Sequence, residues 1–177
     1  MTFRNLRTST LGRGVLLSLE SLELIDPDGH HVVRDVVRHP GGVAVLPVSG
    51  ERIWLVDQYR PAIGRRILEA PAGKLDRPGE PPMEAAEREL EEELGMRPER
   101  LVEMGRMLPS PGYTDEVIHL YVADGIVAGN RQPQGAEEHD AVVVEMTLDD
   151  AMDRLGRGEI DDAKTQILLL AWMRRQM

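Results

Sequence analysis

A chain of 177 residues with a net charge of −10 and no cysteine is long enough for one domain with a real core. The missing cysteine excludes disulfides, thiolate metal sites and a thiol nucleophile. The acidic balance argues against general nucleic-acid binding, which needs a basic footprint, and two Trp, three Tyr and one Phe leave little for a base-stacking platform. The start, MTFRNLRTST, lacks the continuous apolar run of a signal peptide, and no stretch reaches the roughly 18 apolar residues of a membrane span. The expectation is a soluble, cytoplasmic protein with neither membrane nor nucleic-acid partners.

In chain order, residues 14–26 and 30–38 read as strands joined by the turn Asp26-Pro27-Asp28-Gly29. The adjacent His30 and His31 point to opposite strand faces and read as surface residues. Residues 42–49 and 52–60 form a second strand pair around Ser49-Gly50, and the alternation in 52–60 suits a half-buried strand. A short extended piece over 67–72 leads into Gly73. After the helix described next, 101–108 and 117–122 read as strands separated by the turn-rich Pro109-Ser110-Pro111-Gly112, and 125–139 as a loop. A last strand covers 141–146. Thr147 reads as the N-cap of a helix whose stripe is Leu148, Ala151, Met152 and Leu155, and 161–174 is a terminal helix. This order of strands and helices predicts an α/β or α+β fold.

The stretch from Gly73 to Met96, GKLDRPGEPPMEAAERELEEELGM, carries the chemistry. Pro81-Pro82 marks a helix start, because the first turn tolerates a missing N–H. Gly95 marks the stop, because glycine takes the left-handed cap conformation cheaply. Met83, Ala86, Leu90 and Leu94 form an apolar stripe. Glu89 and Glu93 stack four residues apart beside that stripe, and Arg88 is placed to pair with Glu92 at i,i+4. Like charges at i,i+4 cost a few tenths of a kcal/mol per pair, which a divalent cation would offset. Oxygen-only ligands favour a hard ion, Mg²⁺ or Mn²⁺.

Gly73, Glu80, Arg88-Glu89-Leu90, Glu92-Glu93 and Gly95-Met96 resemble the Nudix box, the loop–helix–loop of Nudix hydrolases. One departure is present: six residues separate Gly73 from Glu80 where the family has five, so an extra residue, Arg77 or Pro78, falls in the loop. The resemblance implies a mixed central sheet sandwiched between helices, with the box helix against it. It also implies metal-dependent cleavage of a pyrophosphate. Glu89 and Glu93 would be the main metal ligands, with Glu92 supporting, Glu80 contributing through the loop and the Ala72 carbonyl as a further ligand. Arg88 would brace the helix carboxylates.

The flanks Gln58-Tyr59-Arg60, Glu69 to Leu75, Ser110-Pro111-Gly112-Tyr113 and Asp162-Ala163-Lys164-Thr165 resemble the ADP-ribose pyrophosphatase branch. Pro111 follows Gly95 by 16 residues, as that branch's pattern requires. The resemblance implies that Arg60, and less directly Arg34, holds a phosphate. Glu69 would orient substrate or brace its loop, and Glu116 would either serve the site or be a buried structural partner. A catalytic glutamate is implied just before the last strand, at Glu138 or Glu137, acting on the attacking water because the helix glutamates are occupied by metal. Residues 1–39 would form a strand region able to pair two copies as a homodimer, and 40–177 the hydrolase domain. The expected reaction is hydrolysis of ADP-ribose to AMP and ribose 5-phosphate. The alternatives are hydrolysis of another nucleoside diphosphate sugar or a nucleotide, or a nucleotide-sensing module without turnover.

Overall fold

The computed structural model describes residues 2–176 and divides the chain into two compact units. The first runs to Gly41 and also takes in Leu108–Val117. It holds an antiparallel sheet of β1 (Arg4–Arg13), β2 (Ser18–Ile25) and β3 (His31–Arg38) in the order β1-β2-β3. The segment 108–117 joins it through Val37, whose N–H donates to the Tyr113 carbonyl at 2.7 Å, and through Arg38, which bridges Glu20 at 2.8 Å and Asp115 at 3.1 Å.

The expected strand 14–26 is corrected here. Gly14 N–H bonds the Leu17 carbonyl at 2.8 Å, so GVLL is the turn of a hairpin, and the strand before it is the polar run RNLRTSTLGR. Apolar content suggested a strand at 14–17, yet Val15 is 110% exposed. The turn at Asp26–Gly29 forms as expected. Asp26 Oδ1 accepts from the N–H groups of Asp28 at 2.9 Å and His30 at 2.8 Å, and His30 and His31 are both exposed.

The second unit, Gly42–Met107 with Ile118 onward, is a seven-stranded mixed sheet covered on both faces by helices. Its strands are β4 (Gly42–Ser49), β5 (Arg52–Arg60), β6 (Arg65–Glu69), β7 (Ala72–Lys74), β8 (Met96–Met107), β9 (Ile118–Ala128) and β10 (Val142–Thr147). The order is β10-β5-β4-β9-β8, with β6 on β5 and β7 on β4, and β4 and β9 run parallel. A central strand buried on both faces reads as a continuous apolar run, and β4 is GVAVLPVS, buried from Gly42 to Val48. Its side chains alternate between two cores. Val43 and Val45 pack with Ala85, Ala86, Leu90 and Leu94 of helix α1 (Pro82–Leu94), while Ala44, Leu46 and Val48 pack with Ala151 of α3 (Leu148–Gly156) and Leu168 and Leu169 of α4 (Ala163–Gln176). Each fully buried Val or Leu contributes about 1.5–3 kcal/mol, so neither layer of helices is dispensable.

The α/β fold expected from the order of elements is present, as is the sandwich implied by the Nudix resemblance, and Thr147 caps α3 by accepting from Asp150 N–H at 3.1 Å. Two boundaries differ. The stretch 125–139 is not wholly a loop: β9 continues to Ala128, and a short helix α2 spans Ala136–Asp140. The strand expected over 101–108 starts at Met96, directly after the Gly95 cap, and its register with β9 slips by one residue between Glu103 and Gly105.

Candidate active site

Helix α1 starts and stops where its prolines and glycine predict. Pro81 is the N-cap residue in extended conformation, and Gly95 (φ 67°) closes the end by donating to the Glu91 carbonyl at 2.8 Å. Its buried arc is wider than the apolar stripe. Met83 is 43% exposed, whereas Ala85, Glu89 and Glu93 are buried. The reason lies in β7, which pairs with β4 through Ala72 and Gly73. Ala72 N–H donates to Glu93 Oε2 at 3.3 Å. A Cβ on Gly73 would lie 1.8 Å from Glu89 Cδ and 2.1 Å from its Oε1, so the missing side chain is the space that Glu89 occupies.

Glu93 (5% exposed) and Glu89 (7% exposed) are therefore two carboxylates held together away from water. Burial pushes the Glu93 carboxyl well above its ordinary range, reinforced by Glu89 and Glu138. Burial also raises Glu89, against the opposing pull of Arg88 and with Glu92 and Glu138 adding to the rise. Desolvation and like charge both disfavour ionisation. Arg88 spreads over three partners: a two-pronged pair with Glu80 (2.9 Å for each bond), Glu89 Oε1 at 2.6 Å and Glu92 Oε2 at 2.9 Å. Its bonds hold Glu80 below the usual carboxylate range. Arg77, in the longer loop, bonds the other Glu92 oxygen at 3.0 Å.

These groups line a cleft of about 360 Å³, together with Gln58, Arg60, Pro61, Ala72, Gly73, Lys74, Asp76, Gln134, Glu137 and Glu138. Of the twelve residues singled out from the sequence, the cleft thus gathers Arg60, Ala72, Arg88, Glu89, Glu92, Glu93, Glu137 and Glu138. Glu80 is one residue removed, on Arg88. Glu69 is fully buried and bonds Arg60 Nε at 2.6 Å. Arg34 and Glu116 belong to the first unit. There Arg34 is exposed and donates to the Val33 carbonyl at 2.7 Å, and Glu116 lies 3.5 Å from His39 Nδ1.

Glu138 sits on α2. Its Oε2 accepts from Gln134 N–H at 2.6 Å, and its charge reaches both Glu89 and Glu93. Sequence reasoning missed Arg131. Its Nε donates to the Glu93 carbonyl at 2.6 Å, and its Nη2 to the carbonyls of Glu138 and Ala141 at 3.1 Å each. One arginine thereby ties the end of α1 to the segment bearing Glu138. No spacing rule marks an arginine bonding three carbonyls.

The donor set suits a hard divalent cation. It offers oxygen ligands without histidine or thiolate; among the described residues Glu93 makes no ion pair, and Glu89 shares Arg88 with Glu80 and Glu92.

A NUDIX domain model matches residues 38–168. The chain is 42% identical over 158 residues to the methanol dehydrogenase activator of Bacillus methanolicus, covering 88% of this chain and 83% of that one. It is 39% identical over 155 residues to the ADP-ribose pyrophosphatase of Bacillus subtilis (strain 168), covering 87% and 82%. With the ADP-ribose pyrophosphatase of Mycobacterium tuberculosis (strain ATCC 25618 / H37Rv) the identity is 36% over 159 residues, covering 89% and 77%. The crystal structure of an ADP compounds hydrolase shares the fold, with a TM-score of 0.87 at 23% identity over 99% of this chain and 96% of that one. The match across most of the chain agrees with the Glu-bearing helix and its glycine-lined pocket: the chain belongs to the Nudix family and is a Nudix pyrophosphohydrolase.

Proposed function

We propose that the enzyme hydrolyses ADP-ribose to AMP and ribose 5-phosphate with Mg²⁺, or Mn²⁺ in its place. The observation that carries this reading is one cleft joining the buried Glu89–Glu93 pair to Arg60, Lys74 and Arg77, in a chain 36–39% identical to two proteins named ADP-ribose pyrophosphatase. Glu89, Glu93 and the Ala72 carbonyl would hold the metal, with Glu92 beside them. Bound there, it would neutralise phosphate charge and lower the pKa of a coordinated water. Glu138 would take the proton of the attacking water, Arg88 and Glu80 would keep the helix carboxylates in place, and Arg60 would meet a phosphate. Proteins named GDP-mannose pyrophosphatase match at 32% identity or less, which supports other nucleoside diphosphate sugars as the second reading. A panel of ADP-ribose, GDP-mannose and nucleoside triphosphates, assayed with and without Mg²⁺, is expected to show metal-dependent turnover with the highest kcat/KM for ADP-ribose. Turnover of triphosphates alone would overturn the assignment, as would full activity with a chelator present.

The same reading includes a homodimer formed through the N-terminal strands. Phe3, Leu6, Leu11, Val15, Leu19 and Val33 are each exposed in the first unit, which supports an association surface there if they are covered by a second copy. Light scattering is expected to give twice the 19.8 kDa chain mass, and a monomer at high protein concentration would remove this part. A chain without cysteine suits a cytoplasmic setting, and no helix among the described residues is long and apolar enough to cross a membrane.

A further inference from the structure

At the edge of the cleft lies a partly buried charged cluster of which the reaction as described uses only Arg60. Glu69, fully buried on β6, accepts from Arg60 Nε on Oε1 at 2.6 Å and from Lys164 Nζ on Oε2 at 3.2 Å. Lys164 also donates to Asp162 Oδ1 at 2.6 Å. The other Asp162 oxygen caps α4, accepting from Thr165 N–H at 2.9 Å and from the Thr165 hydroxyl at 2.6 Å. That hydroxyl in turn accepts from Ala70 N–H at 2.7 Å. The first turn of α4 therefore grips residues 69 and 70 by both side chain and backbone. The four charges balance, two cations against two carboxylates, as buried charges must to avoid a large desolvation cost.

An arginine beside a carboxylate can close a two-pronged pair, with two parallel N–H···O bonds, as Arg88 does with Glu80. Arg60 does not. Nε alone bonds Glu69, and its Nη groups make no hydrogen bond among the described residues, although the residue lines the cleft. The second carboxylate oxygen, which a two-pronged pair would need, is taken by Lys164.

We propose that Lys164 is a positioning residue for the hydrolysis: by occupying Oε2 of Glu69 it keeps Arg60 bound through Nε alone, so that both Nη groups face the cleft for a diphosphate. Without the lysine charge, Arg60 is the only cation left to Glu69 and is drawn onto both of its oxygens, away from the ligand. Asp162 holds Lys164 at the post, which gives the stretch Asp162-Ala163-Lys164-Thr165 a function.

The inference rests on the diphosphate reading of the cleft, and ADP is the probe that separates the two. Calorimetric titration with ADP in Mg²⁺ buffer is expected to show about tenfold weaker binding for Lys164→Met, the scale of one lost charge-assisted bond. In an Arg60→Ala background the same substitution is expected to change ADP affinity by less than about twofold, because residues acting through one another are not additive. A merely structural lysine would weaken both backgrounds equally, and that result overturns the proposal. So does unchanged ADP affinity in folded Lys164→Met, or a wild-type enzyme that does not bind ADP. Thermal unfolding checks folding. If the methionine variant does not fold, Lys164→Gln, which keeps a polar donor but loses the charge, is read by the same cycle and against the same outcomes. A non-additive cycle with no turnover of ADP-ribose would sink the substrate assignment alone. An additive cycle with ADP-ribose turned over would sink the positioning role alone.

Discussion

Glu93→Gln is expected to cut kcat by about 10²–10³-fold at limiting Mg²⁺ while making the metal-free protein more resistant to heat. The first effect follows from charge. The amide keeps the shape of the carboxylate and loses the anion that would hold the metal, whose stabilisation of the reaction amounts to several kcal/mol, with tenfold in rate for each 1.4 kcal/mol or so. The second effect follows from burial. The Glu93 carboxyl titrates well above the ordinary 4.5, so the folded state holds its proton more tightly than the unfolded state does. The group's contribution to stability is fully present below about pH 4.5 and is lost as the pH rises through the higher folded-state value. Metal-free wild type should therefore lose Tm toward neutral pH, and Glu93→Gln should lose less. Undiminished turnover at limiting metal would remove Glu93 from the ligand set. A Tm difference that does not grow with pH would show that its burial is not costly.

Glu138→Gln is expected to lower kcat by about 10²–10⁴-fold, the typical loss on removing a general base, with metal affinity and KM little changed. Glu137 is the internal control, since both residues line the cleft. Only the Glu138 charge is felt at both Glu89 and Glu93, and Glu138 is partly buried where Glu137 is exposed. Glu137→Gln should stay within a few-fold of wild type. A drop in Glu137→Gln instead would move the role by one residue. A drop in neither would place the base on α1 and leave α2 as a wall of the cleft.

What could be read from the sequence was what is encoded locally. Helix α1 announces itself through Pro81-Pro82, a periodic stripe and Gly95, all within one stretch, and its glutamates inherit their geometry from that period. β4 was legible because burial on both faces writes a continuous apolar run, and β5 because its alternation is real, although it is not half-buried as expected: Ile53 and Leu55 enter one core, and Val56, with Trp54 beside it, the other. β1 was not. Its sequence, RNLRTSTLGR, lies exposed and pairs through backbone groups, so its side chains carry no alternation. The Arg60–Glu69–Lys164 cluster was half visible: each residue lay in a stretch worth noting, but Glu69 and Lys164 are 95 positions apart, and only folding reveals that they form an ion pair. Arg131 left no signal at all, because carbonyl acceptors are the same in every residue.

The contact between Gly73 and Glu89 bears on which sequences this fold can explore. Gly73 is absent from the glycines with positive φ, so its backbone would accept an L-residue, and the obstacle is volume alone. A methyl at 73 and a glutamate at 89 compete for the same space, with 1.8 Å between the atoms concerned. Gly42 is limited differently, since a Cβ there would lie 2.8 Å from the backbone carbonyl oxygen of Gly73. Positions 73 and 89 are thus epistatic, whereas the limit at 42 is set by backbone and holds whatever stands at 73: a single-site scan will report Gly73 as invariant although its constraint belongs to its neighbour Glu89.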